Sequence, residues 1–462
     1  MNSRTPSLIT AVLASSGVVV ALMQTIILPL LPLLPGITGA PPADAGWAVT
    51  ATLLSGAICT PLFGRAGDMY GKRRVLLLSL LFLIAGSVVC TAGTHLPALI
   101  AGRLLQGVGL AVTPLAISIL RDELPPGRVA SAVALMSATI GIGAAVGLPI
   151  AAVVVQYASW RALFWACAVA GLAVFALIRW IVPESPVRSP GRFDIPGAAG
   201  LSAFLVCLLL AISKGPSWGL TAPPTLGLAA FALATLAWWI RRELRVPEPL
   251  VDLRTATRPA ALVAHLVALF IGFAFYANTL ATAQLVQEPA STGYGLELSI
   301  VAAGLCLLPG GLCLALLSPV SARITDRKGP RTAVALASAV IAVGYVVRFF
   351  TSHELWTVIV GATVVAIGSG LAYSALPMLI MRAVPVTETA AANGQNVLMR
   401  MIGQAASSAA ATAVLAHHTA GGRPTLHAYL LVFLIAASVA VAALATALAA
   451  PRRSPAPVPA TA

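Results

Sequence analysis

The chain has 462 residues, of which 59% are hydrophobic and 9% charged, and its mean hydropathy is +0.95. Soluble globular domains carry about 25% charged residues, so too little charge is present to cover a water-facing surface, and a soluble domain is excluded. The formal net charge of +14 reads as the excess of Lys and Arg that membrane proteins keep on one face, not as a nucleic-acid footprint.

Apolar runs of about 20 residues, the length an α-helix needs to cross a bilayer, recur along the whole chain. They do not alternate, as the shorter strands of a membrane barrel do. Fourteen spans are expected, at 8–31, 46–63, 75–93, 97–120, 129–156, 162–181, 197–213, 224–241, 260–284, 299–319, 332–350, 355–381, 395–416 and 428–449. The first follows Arg4 and is long, so it reads as a span and not as a cleaved leader. An even count places both termini on one side. With the N-terminus cytoplasmic, the Lys and Arg residues collect at cytoplasmic ends. The exceptions are Arg161, Lys214, Arg348 and Arg423 at outer positions and Arg103 within span four. A wrong count would scramble this asymmetry. The expected setting is therefore the plasma (inner) membrane, multi-pass, with both termini cytoplasmic and lipid as the surroundings.

In chain order, span one carries a small and polar face of Thr10, Ala14, Gly17, Ala21 and Gln24. After span two, "PLFGRAGDMYGKRR" (61–74) gathers Arg65, Lys72, Arg73 and Arg74 around Asp68, interrupted by Gly64, Gly67 and Gly71. The glycines allow tight turns and close helix approach. Asp68 can accept charge-assisted hydrogen bonds from an Arg or from a helix N-terminus. A contact made in one conformation and broken in the other is a latch. Topology needs the bases but hardly needs an acid, so the latch is read on Asp68, while Lys72, Arg73 and Arg74 are also explained by topology alone. The pattern returns after span ten in "SPVSARITDRKGPR" (318–331). Aligning Pro61 with Pro319 matches Arg65 with Arg323, Asp68 with Asp326, Gly71 with Gly329 and Arg73 with Arg331. The copies lie eight spans apart, and an even offset means a parallel repeat of two like-oriented halves. The expected organisation is a six-helix bundle over 1–181, two inserted helices with their loops over 182–258, a second six-helix bundle over 259–450, and a disordered Pro-rich cytoplasmic tail over 451–462.

Arg103 lies in the outer part of span four, where a charge costs at least about 2.5 kcal/mol at mid-membrane unless partnered or snorkelling. Gln106 is its neighbour at i+3. In span five, Gly141, Gly143 and Gly147 permit close helix packing, and Pro149 can kink the chain. Span nine sets His265, Ala268, Gly272, Tyr276 and Thr279 on one face. An intramembrane His is titratable; it can carry a proton, touch substrate or simply pack. Asp122 and Glu123 fall at the inner end of span four, and Glu288 and Glu297 in the outer loop after span nine, so no carboxylate lies at mid-membrane. A cavity without a fixed anion suits neutral, amphipathic or weakly anionic molecules as well as cations. The six cysteines sit inside apolar runs without a CxxC pair and read as small buried hydrophobes. No phosphate loop, metal cluster or nucleophile triad is visible, so neither an enzyme nor a cofactor nor ATP drive is expected.

The loop at 64–74 is similar to the G-x-L-x-D-x-x-G-R-[K/R] motif of the major facilitator superfamily, with Ala66 at the apolar position and Gly67 at the small one. "RLLQGVG" (103–109), "SWRALFW" (159–165), "RFDIPG" (192–197), "PLVDL" (249–253) and "AANGQNVLMRMIGQ" (391–404) resemble further motifs of the same family. They point to its fourteen-helix drug:proton antiporter branch, over almost the whole chain. The resemblance implies an all-α integral membrane fold with 14 transmembrane helices and export of a hydrophobic small molecule, a drug or antibiotic, by proton-coupled alternating access. It implies gating through Gly64, Asp68, Gly71, Arg73, Arg323, Asp326 and Gly329. Arg103, His265 and Asp122 are the candidates for proton coupling, and Gln24, Gln106, Gly147, Gly272, Tyr276 and Thr279 for the substrate cavity. Two stretches depart from the branch. "LMQTIILPLLP" (22–32) has Met23 where an acid is usual, and "GIGAAVGLPIAA" (141–152) lacks the final glycines of the fifth-helix antiporter pattern. A metabolite importer or uniporter, and a transport-inactive sensor or scaffold, are the alternatives; the short loops count against the last. Substrate, protons and lipid are the expected partners, with no nucleic acid and no obligatory protein partner.

Overall fold

The computed structural model describes residues 6–27, 30, 33–40, 46–93, 95–189, 191–219, 221–247, 249–251, 253–351, 354–420 and 423–449. The tail expected to be disordered, 451–462, lies outside these. The long helices, in chain order, are α1 (Pro6–Thr25), α2 (Trp47–Tyr70), α3 (Lys72–Ala92), α4 (Leu96–Glu123, with a 3-10 turn at Gly109–Ala111), α5 (Pro126–Tyr157), α6 (Arg161–Ile181) and α7 (Ile195–Trp218). They continue as α8 (Pro223–Glu243), α9 (Pro259–Leu285), α10 (Ile300–Leu316, continued by Ser318–Lys328), α11 (Pro330–Thr351), α12 (Leu355–Met381), α13 (Thr389–His417) and α14 (Leu426–Ala449). Proline opens several of them, at the position where a missing N–H costs least, as in α5, α8 and α9. Asp194 caps α7 by accepting from the Gly197 N–H at 3.0 Å.

Twelve of these helices are long and apolar enough to cross a membrane, or 13 if the two arms of α10, bent by 42°, form one span. The chain is thus a multi-pass membrane protein. The helix that separates this count from the expected fourteen is α13, which is 29 residues long but carries Asn393, Gln395, Asn396, Arg400 and Gln404. Those side chains lower its hydropathy because it runs between other helices and not against lipid.

The stretch expected to be a loop at 65–74 is almost all helix. α2 continues to Tyr70, Gly71 breaks the chain at φ +117°, and α3 starts at Lys72. The second copy breaks at Gly329 with φ +84°. Both glycines sit in the region that side chains with a Cβ avoid. A Cβ on Gly71 would also meet the Glu184 carboxylate at 2.8 Å.

Packing repeats with the same period. α1 packs on α5 and α6, α2 on α4, and α3 on α4 and α6; correspondingly α9 packs on α13 and α14, α10 on α12, and α11 on α12 and α14. The halves meet through α2 against α13 and α5 against α10, which are each other's equivalents. Helices α7 and α8 pack on one another, and α7 also lies on α2 and α13. One buried apolar cluster runs through α1–α7, reaching α8, α12 and α13, and a second fills the half from α9 to α14.

Candidate functional site

The end of the bundle that carries the 61–74 stretch is closed. Gly64 on α2 lies so near α13 that a Cβ there would stand 2.6 Å from the Ala390 carbonyl oxygen, and one on Gly394 would stand 2.8 Å from that of Thr60. This double glycine contact lets Asp68, in the last turn of α2, reach the first turn of α13. Asp68 is fully buried. It accepts from the Ala391 N–H at 2.8 Å and from the Ala390 N–H at 3.3 Å. Orphan N–H groups and the positive end of the helix dipole make that terminus an anion site. Arg121 of α4 reinforces the closure, donating to Thr389 Oγ1 at 2.5 Å and to the Met381 carbonyl at 2.8 Å.

Behind this contact lies a buried ion cluster. Lys72 Nζ stands 3.6 Å from Asp68 Oδ1 and 2.5 Å from Asp122 Oδ2, with all three side chains fully buried. Ser185 Oγ donates to the same Asp122 oxygen at 2.5 Å. One buried cation thus serves two carboxylates, and each depends on the others, because a buried charge that loses its partner is strongly destabilising. Lys72, which the sequence also allowed to be a topology signal alone, sits at the centre of the cluster. Arg73 points elsewhere: its guanidinium donates to the Arg179 carbonyl in the last turn of α6. Its counterpart Arg331 does the same in the last turn of α14, to the Leu448 carbonyl and, at 3.1 Å, to that of Ala447. In both halves the repeated arginine ties the free carbonyls of a helix C-terminus. The acids differ. Arg323 and Asp326 are exposed, and Asp326 has no hydrogen-bond partner among the described residues.

A cavity of about 220 Å³ lies at the seam between the halves. Gln24 of α1, Arg103 of α4, Tyr276, Asn278 and Thr279 of α9, and Gln404 of α13 supply its polar wall. Among the described residues that line it, none is Asp or Glu. Arg103, only 1% exposed, is held by neutral acceptors: Ala48 O at 3.0 Å, Met23 O at 3.1 Å, Met23 Sδ at 3.6 Å and Gln106 Oε1 at 2.7 Å. Gln106 is locked in turn by donating to Ser87 Oγ at 2.8 Å. It stands behind Arg103 and not on the cavity surface. Met23, at the position where the resembling branch carries an acid, thus lies against the guanidinium.

The other half has a comparable device. Arg348 of α11 is fully buried, donates to Asn278 Oδ1, and stacks its Cζ 4.1 Å from the centre of the Phe433 ring. Asn278, on the cavity wall, donates in turn to the Ala362 carbonyl at 3.1 Å. Arg400 of α13 stacks 4.7 Å from the centre of the Tyr373 ring. The remaining candidates lie away from the cavity. Gly272 accommodates the backbone of Arg400, and Gly147 the side chain of Thr25. His265 is buried near the start of α9 with no hydrogen-bond partner for Nδ1 among the described residues, and Asp122 belongs to the closed end. Asn278, Arg348, Arg400 and Gln404 were missed as site residues. Charge inside an apolar run was the available signal for Arg348.

A parallel-repeat helical membrane protein with a polar cavity at the seam, closed at one end by an ion cluster, is a membrane carrier. The chain belongs to the Major Facilitator Superfamily, whose model matches residues 13–408 and 266–462, a family of transporters and not of enzymes. It is 29% identical over 294 residues to the tetracenomycin C resistance and export protein of Streptomyces glaucescens, a match covering 62% of this chain and 53% of that protein. It is 26% identical over 373 residues to the multidrug resistance protein Stp of Mycobacterium tuberculosis, covering 80% and 68%. It is 24% identical to a probable actinorhodin transporter of Streptomyces coelicolor, covering 77% and 63%. The matched part is thus between half and about two thirds of these relatives' length. A solved human structure, described as the organic anion transporter MFSD10 (TETRAN), superposes with a TM-score of 0.71 over 96% of this chain and 99% of its own at 16% identity, a likeness of fold.

Proposed function

We propose that the protein exports a hydrophobic small molecule across the plasma membrane in exchange for protons. It would use fourteen crossings with both termini cytoplasmic, so that the end closed by Asp68 is the cytoplasmic one. The bundles 1–181 and 259–450 rock against each other, and 182–258 forms the inserted pair. The carrying observation is the contact of Asp68 with the first turn of α13: the described state is sealed there, and breaking that contact opens the seam on the same side. The naming of relatives as an export protein, a multidrug resistance protein and an antibiotic transporter supports the direction. The exchange is read on the cluster of Lys72, Asp68 and Asp122. A proton taken by Asp122 releases Lys72 to Asp68, and one taken by Asp68 removes the anion that holds α13. His265, beside the Ala264 carbonyl that accepts from Asn396 Nδ2 of α13 at 3.1 Å, is the second titratable candidate. Arg103 keeps its proton and acts through its charge. One proton crossing about 100 mV supplies about 2.3 kcal/mol, enough for a roughly 50-fold gradient of a neutral substrate. Transport of a lipophilic dye by inverted vesicles, with and without an imposed pH gradient, tests the reading. Accumulation that collapses when the gradient is removed is expected; equal uptake under both conditions would sink proton coupling, and no uptake would sink export.

A further inference from the structure

The seam cavity has an unusual charge balance for a compartment inside a membrane. Among the described residues, its wall includes one guanidinium, Arg103, and no carboxylate. All four acceptor atoms bonded to that guanidinium are neutral. Buried charges in proteins are ordinarily neutralised by a partner, and the acids nearest in sequence, Asp122 and Glu123, stand at the far end of α4. On the opposite wall, Asn278 receives a hydrogen bond from a second fully buried arginine, Arg348. That contact aligns the amide dipole with its oxygen towards Arg348 and its nitrogen on the Ala362 carbonyl. Of the rest of the polar wall, Gln24, Tyr276 and Gln404 carry groups that can donate hydrogen bonds, while the Thr279 hydroxyl already donates to the Phe275 carbonyl at 3.1 Å. A site with a fixed cation, several donors and no fixed anion is complementary to an anion.

We infer that the cavity selects lipophilic monoanions, aromatic carboxylates, sulfonates or phenolates, with Arg103 as the counter-charge of the bound molecule. This rests on the export reading above and names its substrate class. It separates the roles of the two charged regions: the closed end handles opening, and Arg103 handles selection. It also bears on the driving force, because an anion leaving a cell that is negative inside moves down the membrane potential.

The test is binding by the purified full chain in lipid nanodiscs at pH 7, by calorimetry, with three probes of one size: 2-naphthoate, its uncharged amide 2-naphthamide, and the cation 2-naphthylmethylammonium. The naphthoate is expected to bind at least about tenfold more tightly than either of the others, the scale of one charge-assisted hydrogen bond. Arg103→Gln is expected to remove that preference, so that naphthoate and naphthamide bind within about twofold of one another, and Arg103→Lys to keep part of it. Equal or tighter binding of the amide or the cation, or no binding of any of the three, overturns the inference; so does an Arg103→Gln protein that keeps the naphthoate preference. Should that variant fail to fold, the ranking of the three probes on the unaltered chain still decides. The export reading fails separately: naphthoate that binds with this preference, but is not moved by vesicles under a pH gradient, leaves the selectivity standing and removes export.

Discussion

Asp68 draws its partners from three stretches, one near and two distant: Lys72, four residues on in the next helix, Ala390 and Ala391 at the start of α13, and Ser189, whose N–H reaches the Asp68 carbonyl at 2.7 Å. Asp326 occupies the same place in the repeated motif and has none of this. The pair therefore separates motif from contact. Asp68→Asn retains the shape but removes the charge that the helix terminus and Lys72 both hold; charge-assisted hydrogen bonds contribute about 1.5–3 kcal/mol, so dye export is expected to fall by at least about tenfold. Asp326→Asn is expected to stay within about twofold of the unaltered rate, as exposed substitutions usually do. Initial rates in the same vesicles compare the two, and equal losses would mean that the motif acts through something other than the contact described.

At the scale of elements, the seam between α2 and α13 depends on two glycines facing backbone. Gly394→Leu places a side chain where the Thr60 carbonyl stands, so the helices cannot close at that end. Loss of export to below about a tenth is expected, while the protein keeps its elution profile and most of its thermal stability, because the strain falls on one conformation and is relieved by opening. Export at the normal rate would show that the seam need not close this tightly. Much of this level was legible in advance. Apolar runs are local, so their positions fell close to the observed helices, and the doubled motif gave the repeat. The partners were not legible. Nothing near Asp68 in sequence announces the terminus of a helix more than three hundred residues on, and Lys72 looked like its neighbours Arg73 and Arg74, whose guanidinium groups reach α6 and Glu184 respectively. Arg348 looked like an outer anchor until Asn278 and Phe433 were placed around it, and α13 looked like any other span although its polar residues face other helices.

For the molecule as a whole, the proposed orientation and count make every other connection face the same side. Single cysteines introduced in a cysteine-free background at Arg245 and Arg327 are expected to be shielded from a membrane-impermeant thiol reagent added to intact cells. Cysteines at Gly293 and Ala420 are expected to react. Labelling at Gly293 with shielding at both Arg327 and Ala420 would mean that α13 does not cross, and the count of fourteen would be wrong.

The polarity of α13 also sets the order in which the protein can be built. A segment bearing Asn393, Asn396 and Arg400 is a poor candidate for entering lipid unaided, since charged and amide side chains oppose insertion from the translocation channel. Its polar atoms find their partners on helices made earlier: Asn396 on α9, Arg400 over Tyr373 of α12, and its first-turn N–H groups on Asp68 of α2. The ribosome delivers those helices first. During synthesis α13 therefore enters a membrane in which its receptor already stands, and the carboxylate that closes the finished carrier is also the one that greets this helix as it arrives.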